Sequence, residues 1–127
     1  METALKTVGR ALATEECGFE VSEAIGAAGN AVSLTVREAT LKFGQSCPLA
    51  CSFPAAVQCA LKYGNDFGRA IKEAANAGGD SAGRAAMIGS WLGAANGVAG
   101  IPAAWRERLN KREEINALIE RIVARER

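Results

Sequence analysis

The sequence predicts an all-α fold. Apolar residues recur at three- and four-residue intervals along most of the chain, the spacing that places side chains on one face of a helix. No segment alternates apolar and polar residues over the length of a strand, and no hairpin signal is present. The length of 127 residues and the net charge of +1 suit one domain with no general attraction to nucleic acid or anionic membrane. We therefore expect a single helical domain over residues 1–127, without nucleic-acid or membrane partners.

Apolar stripes and one capping signal predict the first three helices. Thr35 has Glu38 three residues after it, which is the capping-box pattern that begins a helix, and Gly44 follows where that helix should end. The apolar stripes are Leu5, Val8, Ala11 and Leu12 in the first helix, Val21, Ala24, Ile25 and Ala28 in the second, after a break at Cys17-Gly18, and Val36, Ala39 and Phe43 in the third.

Proline, aspartate and glycine mark the next two helices. Residues 46–53 have the composition of a connection, and Pro54 suits the first turn of a fourth helix that runs through Leu61. Asp66 can cap a fifth helix, and Gly78 can serve as its C-terminal glycine. The stripe of this fifth helix consists of Phe67, Ala70, Ile71 and Ala74.

The sixth predicted helix, from about Ser81 to Asn96, is unusually rich in small residues. A glycine inside a helix costs up to about 1 kcal/mol relative to alanine, so its repeated use suggests that a neighbouring backbone comes very close. We therefore expect this helix to be the central one of the bundle and to carry no site along its body. One face holds Ala85, Gly89, Gly93 and Gly97, an adjacent strip holds Ala82, Ala86, Ser90 and Ala94, and the bulk lies in Met87, Ile88, Trp91 and Leu92.

The C-terminal segment is predicted to be an amphipathic helix over residues 111–127, after a short helix that carries Trp105 and Leu109. Its opposite face carries charges of mixed sign, which is typical of a solvated surface. If the domain offers no groove to its apolar stripe, that stripe could pack against a second chain. The stripe consists of Ile115, Leu118, Ile119, Ile122 and Val123.

Two glycines and an aspartate, residues 78–80, precede the sixth helix and raise the question of a ligand site. A helix N-terminus after glycines can bind an anion, but the carboxylate of Asp80 would repel phosphate unless a divalent cation lay between them. Magnesium normally draws on several oxygen donors, and Ala82 and Gly83 offer no side-chain oxygen. From the residues alone, Asp80 or Ser81 is therefore interpreted as a helix N-cap.

No other constellation predicts catalysis. The chain has no histidine, and Cys47 and Cys51 have no evident base or activating cation, so each is interpreted as a small buried hydrophobe. The glutamates near the N-terminus, Glu15, Glu16, Glu20 and Glu23, lie in charged surroundings typical of a solvent face. We expect no catalytic residue.

Composition also bears on the compartment. The four cysteines fit neither a redox pair nor a zinc-finger spacing, and no apolar run of signal-peptide length begins the chain. The uncharged stretch between Arg84 and Arg106 is mostly alanine and glycine and is interrupted by Pro102, so we do not expect it to span a membrane. The expected location is the cytoplasm, with reduced, structural cysteines.

The order of features in the second half resembles the C-terminal part of the ADP-ribosylglycohydrolase family. The resemblance covers about residues 40–110, and its most specific part is a GGD motif followed by the glycine-rich helix and an IP…W…RL sequence. The matching residues are Pro54-Ala55-Ala56, Leu61, Asp66-Phe67, Ala70, Ala74, Asn76, Gly78-Gly79-Asp80, Ala85-Ala86, Gly89, Gly93-Ala94, Gly97, Ile101-Pro102, Trp105 and Arg108-Leu109.

This resemblance implies a compact orthogonal helical bundle like the C-terminal half of these hydrolases. In active members it implies two magnesium ions that assist hydrolysis of the glycosidic bond to ADP-ribose, with ligands from both ends of the chain. The N-terminal ligand motifs, GD and a T-D-D-T-like sequence, have no counterpart here. Asp80 matches the first aspartate of the C-terminal motif, but Ala82 replaces the second aspartate and Gly83 the following threonine. "KFGQSCPLACSF" and "GGDSAGRAAMIGSWLGA" look more like a branch related to lens crystallins, in which the metal motif has degenerated.

The expected function is therefore that of an ADP-ribosylglycohydrolase-like domain without catalysis of its own. Asp80 is the single match to a metal ligand, and Gly79 and Ser81 could still touch a ligand through backbone or hydroxyl groups. No cofactor is expected for this chain. Magnesium would be needed if the chain were part of an active enzyme, completed by an upstream segment or a partner chain. A third hypothesis is a helical oligomerisation module, with self-association or an upstream segment contacting the C-terminal helix.

Overall fold

The fold is all-helical in the part of the chain that the structure describes. The structure is a computed structural model and describes residues 18–125 together with Thr3 and Thr7. Residues 18–125 contain no strand, which confirms the predicted fold class. The predicted first helix, with Leu5, Val8, Ala11 and Leu12, lies outside the described residues. The helices are α1 (Gly18–Asn30), α2 (Val36–Phe43), α3 (Leu49–Lys62), α4 (Phe67–Asn76), α5 (Ser81–Asn96), α6 (Ala103–Glu107) and α7 (Arg112–Arg125), with a 3-10 turn at Val98–Gly100.

Two helices begin at the caps that the sequence indicates. At α2 the Glu38 amide donates to the Thr35 hydroxyl (3.2 Å), and the Thr35 amide donates to the Glu38 carboxylate (2.8 Å), so both halves of the capping box form. At α4 the Arg69 amide donates to the Asp66 carboxylate (2.9 Å). The unpaired amides of each first turn thereby find acceptors, and this fixes where the two helices begin.

The predicted start of the fourth helix is wrong. Helix α3 begins at Leu49, five residues before Pro54, and Pro48 is its N-cap. The Pro48 carbonyl accepts from the amides of Cys51 (2.9 Å) and Ser52 (3.0 Å), so proline closes the first turn from outside the helix. Pro54 lies inside the helix, where its missing N–H removes one backbone bond. Because every residue from 54 to 60 is buried, tertiary packing outweighs that loss.

Helix α3, rather than α5, lies at the centre of the domain. It packs against α1, α2, α4 and α5, whereas α5 packs mainly against α3 and α4, so the prediction that the glycine-rich helix is central is wrong. The side chains of Gln58 and Lys62 on α3 donate to carbonyl groups of the turn that follows α1. The core cluster consists mainly of small residues: Val36, Ala56, Cys59, Ala60, Ala70, Ala74, Ala77, Ile88 and Leu92.

The expectation of a close backbone against the α5 glycines is also wrong. A Cβ added at Gly89 would meet only the side chains of Ile71 (3.6 Å) and Phe67 (3.9 Å). At Gly93 it would meet no atom within 4 Å in the described part of the chain. Helix α5 instead buries its bulky face, Arg84, Ile88 and Leu92, which recur every four residues. The adjacent strip of Ala82, Ala86, Ser90 and Ala94 is exposed.

The C-terminal helices extend from this core. Trp105 on α6 makes an edge-to-face contact with Phe67 on α4, with 6.2 Å between ring centroids. From residue 107 to residue 125 every residue is exposed, so α7 leaves its apolar stripe uncovered by the described chain. None of the helices that the structure describes is long and apolar enough to cross a membrane.

Candidate functional site

The two glycines before α5 accommodate the protein's own backbone. Gly78 (φ 78°) follows the end of α4, as predicted, and Gly79 (φ 63°) continues the turn in the left-handed region. The Asp80 amide donates to the Gln45 carbonyl (2.8 Å), and the Gln45 side-chain amide donates to the Ala77 carbonyl (3.0 Å). A Cβ on Gly79 would lie 2.5 Å from the Gln45 Cβ and 2.9 Å from its carbonyl carbon. Glycine is needed here because Gln45 crosses the turn.

Asp80 is the N-cap of α5, in agreement with the capping interpretation. Its Oδ1 accepts from the Gly83 amide (3.2 Å), and the Ser81 amide donates to the Gly79 carbonyl (2.7 Å). Together with the Asp80 amide, which donates to Gln45, three amides of this turn already have acceptors within the chain. Few donors therefore remain for an anion, although Gly79 is exposed and Asp80 and Ser81 are half-buried beside it.

Gly83 makes room for this cap. A Cβ at Gly83 would lie 2.6 Å from the Asp80 Oδ2 and 3.2 Å from the other two carboxyl atoms. The motif that this segment resembles has threonine at the same position. A Cβ there would require only a rotation of the Asp80 carboxylate, because the corresponding position of the Asp66 cap is occupied by Arg69, which has a Cβ.

Arg84 lies directly behind the turn, and its position there was not predicted from the sequence. It is 1% exposed, and its Nη2 donates to the Gly78 carbonyl. Its Nε and Nη1 have no hydrogen-bond partner among the residues that the structure describes. The spacing could have indicated its burial, because Arg84 begins a row that Ile88 and Leu92 continue at four-residue intervals on one face of α5. A buried guanidinium here places positive charge beside the GGD motif.

The three cysteines that the structure describes do not form a disulfide. Cys47, Cys51 and Cys59 are free, and Cys17 lies outside the described residues. Cys59 is buried, its thiol contacts the Ala70 carbonyl (3.4 Å), and burial raises its pKa to about 12, so it stays protonated at neutral pH. The interpretation of Cys47 as a buried hydrophobe is wrong, because it lies exposed in the bend before α3.

Possible acid–base and metal groups are dispersed. Glu20 and Glu23 are exposed, as expected, and Glu15 and Glu16 lie outside the described residues. Over residues 18–125, Thr3 and Thr7, no three or more acidic, cysteine or histidine side chains cluster closely enough to hold a metal ion. Asp80 is therefore brought together with Gly79 and Ser81 but with no second carboxylate of the described chain.

A separate apolar groove lies between α1 and the start of α3, and we call it the α1–α3 groove. Its volume is about 750 Å³, and it shares no residue with the turn at 78–80. Two carboxylates, those of Glu20 and Glu23, belong to its wall. Its apolar lining consists of Val21, Ala24, Ala27, Phe43, Leu49, Ala50, Phe53 and Pro54. Sequence periodicity did not indicate this groove, because it depends on how α1 and α3 cross.

Comparison with protein families identifies the chain as a whole. The model of the ADP-ribosylglycohydrolase family matches residues 1–127, well beyond the segment of about 40–110 that carries the sequence motifs. Comparisons with curated proteins and with solved structures found no match. The match agrees with the all-helical fold and with the GGD motif at the start of α5. This chain belongs to the ADP-ribosylglycohydrolase family.

Proposed function

We propose that this ADP-ribosylglycohydrolase-like domain has no hydrolase activity of its own and acts by binding or as a structural domain. The observation that carries the proposal is the capping position of Asp80, whose carboxylate is bonded to the Gly83 amide. The residues that should supply further oxygen ligands are Ala82 and Gly83, which have none. This donor set does not fit magnesium, which prefers octahedral coordination by oxygen.

Electrostatics supports the same conclusion. Arg84 holds a permanent positive charge behind the turn, bonded to the Gly78 carbonyl two residues before Asp80. A divalent cation at Asp80 would be repelled by this guanidinium, and the repulsion is strong where burial reduces screening by water. The described residues around this turn thus offer a magnesium ion neither a second carboxylate nor a favourable field, which supports the proposal.

Calorimetry tests the proposal directly. We expect no heat of magnesium binding for the wild-type chain, and no release of ADP-ribose from ADP-ribosylated protein or small-molecule substrates with magnesium present. Asp66→Ala is the matched control for Asp80→Ala, because it removes the aspartate cap of α4 instead of α5. Tight magnesium binding that Asp80→Ala abolishes and Asp66→Ala preserves would overturn the proposal.

A second candidate function is enzymatic. The chain would be part of a hydrolase of ADP-ribosyl glycosidic bonds, with magnesium as its cofactor and the missing ligands supplied by an upstream segment or a partner chain. The half-buried position of Asp80 and the exposure of Gly79 favour it, since another segment could reach them. The upstream reading frame and a hydrolase assay of the longest protein that it encodes distinguish this candidate from the non-catalytic one. If GD and T-D-D-T-like motifs are absent upstream and magnesium gives no ADP-ribose release, this candidate fails.

A third candidate function is oligomerisation through α7. The observation that favours it is the exposed apolar stripe of this helix, and the measurement is sedimentation of the double variant Ile115→Glu/Ile122→Glu. If the double variant sediments with the same mass as wild type, the proposed α7 interface is wrong. Cytoplasmic location also remains a proposal, which the free thiols of Cys47, Cys51 and Cys59 support, since unbridged cysteines suit a reducing compartment.

A further inference from the structure

We infer that α7 of one copy docks into the α1–α3 groove of a second copy. The inference rests on the proposed self-association through α7 and identifies the surface that receives the helix. Exchange in both directions would give a closed dimer with two-fold symmetry, in which each chain contributes one helix and one groove.

Helix α7 requires a covering surface. Its 14 residues are all exposed, and an isolated helix of this length is only marginally stable in water. Most helical stability in proteins comes from burial of an apolar face, and this face is continuous along α7. Its members are Ile115, Leu118, Ile119, Ile122 and Val123, which are 36–61% exposed.

The groove has the complementary character. Its lining is mainly apolar, and it includes Leu49, which is 62% exposed, so the lining forms a contiguous apolar surface of the kind that marks an interaction site. Alanines 24 and 27 recur on the α1 side, so a helix could approach the α1 backbone closely. Within the described residues, the same chain thus presents an apolar helix face and an apolar groove that nothing covers.

The apolar stripe of α7 has an arginine at each end. Arg112 lies three residues before Ile115, and Arg125 lies three residues after Ile122, so both ends of the apolar stripe are basic. Glu113 and Glu120 are seven residues apart and lie on the opposite face of α7. Glu114, four residues before Leu118, also lies beside the stripe, where its carboxylate pairs with the Lys111 ammonium group (3.1 Å).

The groove offers the opposite charge. Glu20 and Glu23 lie three residues apart on α1, so both carboxylates are on one side of that helix and belong to the groove wall. An arginine at the end of the α7 stripe would meet these carboxylates when the apolar residues fill the groove. Complementary charge of this kind chiefly sets orientation and partner choice, while the apolar contact supplies affinity.

Three single variants and one mixture test the inference by analytical ultracentrifugation of the full chain. Ile119→Glu damages the helix stripe, Ala27→Glu damages the groove, and Ala86→Glu is the matched control on the exposed strip of α5. We expect dimers for wild type and Ala86→Glu, and dissociation constants raised at least about tenfold, which is 1.4 kcal/mol, for the other two. Circular dichroism verifies that each variant keeps its helix content.

The mixture is the decisive arm. In an equimolar mixture of Ile119→Glu and Ala27→Glu, the intact helix of the second can enter the intact groove of the first. One of the two contacts is restored, so the mixture should dimerise more tightly than either variant alone and less tightly than wild type. If Ala27→Glu stays dimeric while Ile119→Glu does not, α7 contacts another surface or the groove is filled otherwise, and the inference is wrong while self-association stands. If the mixture associates no more tightly than either variant alone, reciprocal docking is also wrong. If wild type is monomeric at about 100 μM, both the inference and the proposed self-association fail.

Discussion

Gly79→Ala tests how the turn between α4 and α5 is built. An L-residue with a side chain pays about 1–2 kcal/mol to adopt the left-handed backbone that Gly79 has at φ 63°. The added Cβ would lie 2.5 Å from the Gln45 Cβ and 2.9 Å from its carbonyl carbon, so two backbone segments must separate. That separation breaks the hydrogen bond from the Asp80 amide to Gln45, which contributes about 1 kcal/mol. We expect a loss of about 3 kcal/mol in the free energy of unfolding.

Gly93→Ala is the matched comparison. Gly93 lies inside α5, where an added Cβ meets no atom within 4 Å in the described part of the chain. Alanine at such a position stabilises a helix by up to about 1 kcal/mol relative to glycine. Glycine-to-alanine substitution should therefore lower the free energy of unfolding at Gly79 and raise it at Gly93, 14 residues away.

Urea denaturation followed by circular dichroism at 222 nm measures both changes. For a domain of this size, 1 kcal/mol corresponds to about 4 °C in the midpoint of thermal unfolding, so the two variants should differ by more than 10 °C. If Gly79→Ala unfolds within 1 kcal/mol of wild type, Gln45 does not cross the turn closely. If Gly93→Ala destabilises by more than 1 kcal/mol, another surface packs against that face of α5.

Three further outcomes follow from single side chains. Asp80→Ala should lower the free energy of unfolding by about 1 kcal/mol and Asp80→Asn by much less, since asparagine also caps; equal losses in urea would contradict the cap. Hydrogen bonds from the backbone and side chain of Thr35 lower the pKa of Glu38, so the stability they add is present above the unfolded carboxyl pKa and is lost as pH falls through the folded value. Glu38→Gln should therefore be less stable than wild type at pH 7 but not at pH 3, and an unchanged gap at pH 3 would refute this. Burial raises the pKa of Cys59 to about 12 from 9.0, so wild type should lose stability as pH rises above about 9, and Cys59→Ala should show a shallower loss in the same titration.

The local features of the fold were predictable from sequence. The Thr35–Glu38 capping box and the Asp66 cap involve residues three apart, and the bounds Ser81–Asn96 of α5 agree with the prediction. Such signals act within one helical turn, so neighbouring residues suffice to determine them. At the start of α3, local rules favour Pro54, because a proline inside a helix removes a backbone hydrogen bond. Packing of the buried helix offsets that loss, and packing depends on distant parts of the chain.

The site was predictable only in part, for the same reason. That Asp80 could cap a helix follows from its position, and the structure agrees. That Gln45 occupies the space beside Gly79 depends on a contact between residues 34 apart, and no periodicity indicates it. The burial of Arg84 likewise depends on how α5 packs against α3 and α4. Small residues on α5 suggested a close backbone at Gly89 and Gly93, but composition alone does not show which glycines face a neighbour.

Two hydrogen bonds of Gln45 couple the connection between α2 and α3 to the connection between α4 and α5. The connection between α2 and α3 and the connection between α4 and α5 share the Asp80–Gln45 and Gln45–Ala77 hydrogen bonds. Neither connection can open without breaking contacts of the other, so their local unfolding should be a single cooperative event. In native-state hydrogen exchange, the Asp80 amide and the amides at the start of α3 should then report the same opening free energy, although they are about 30 residues apart in sequence.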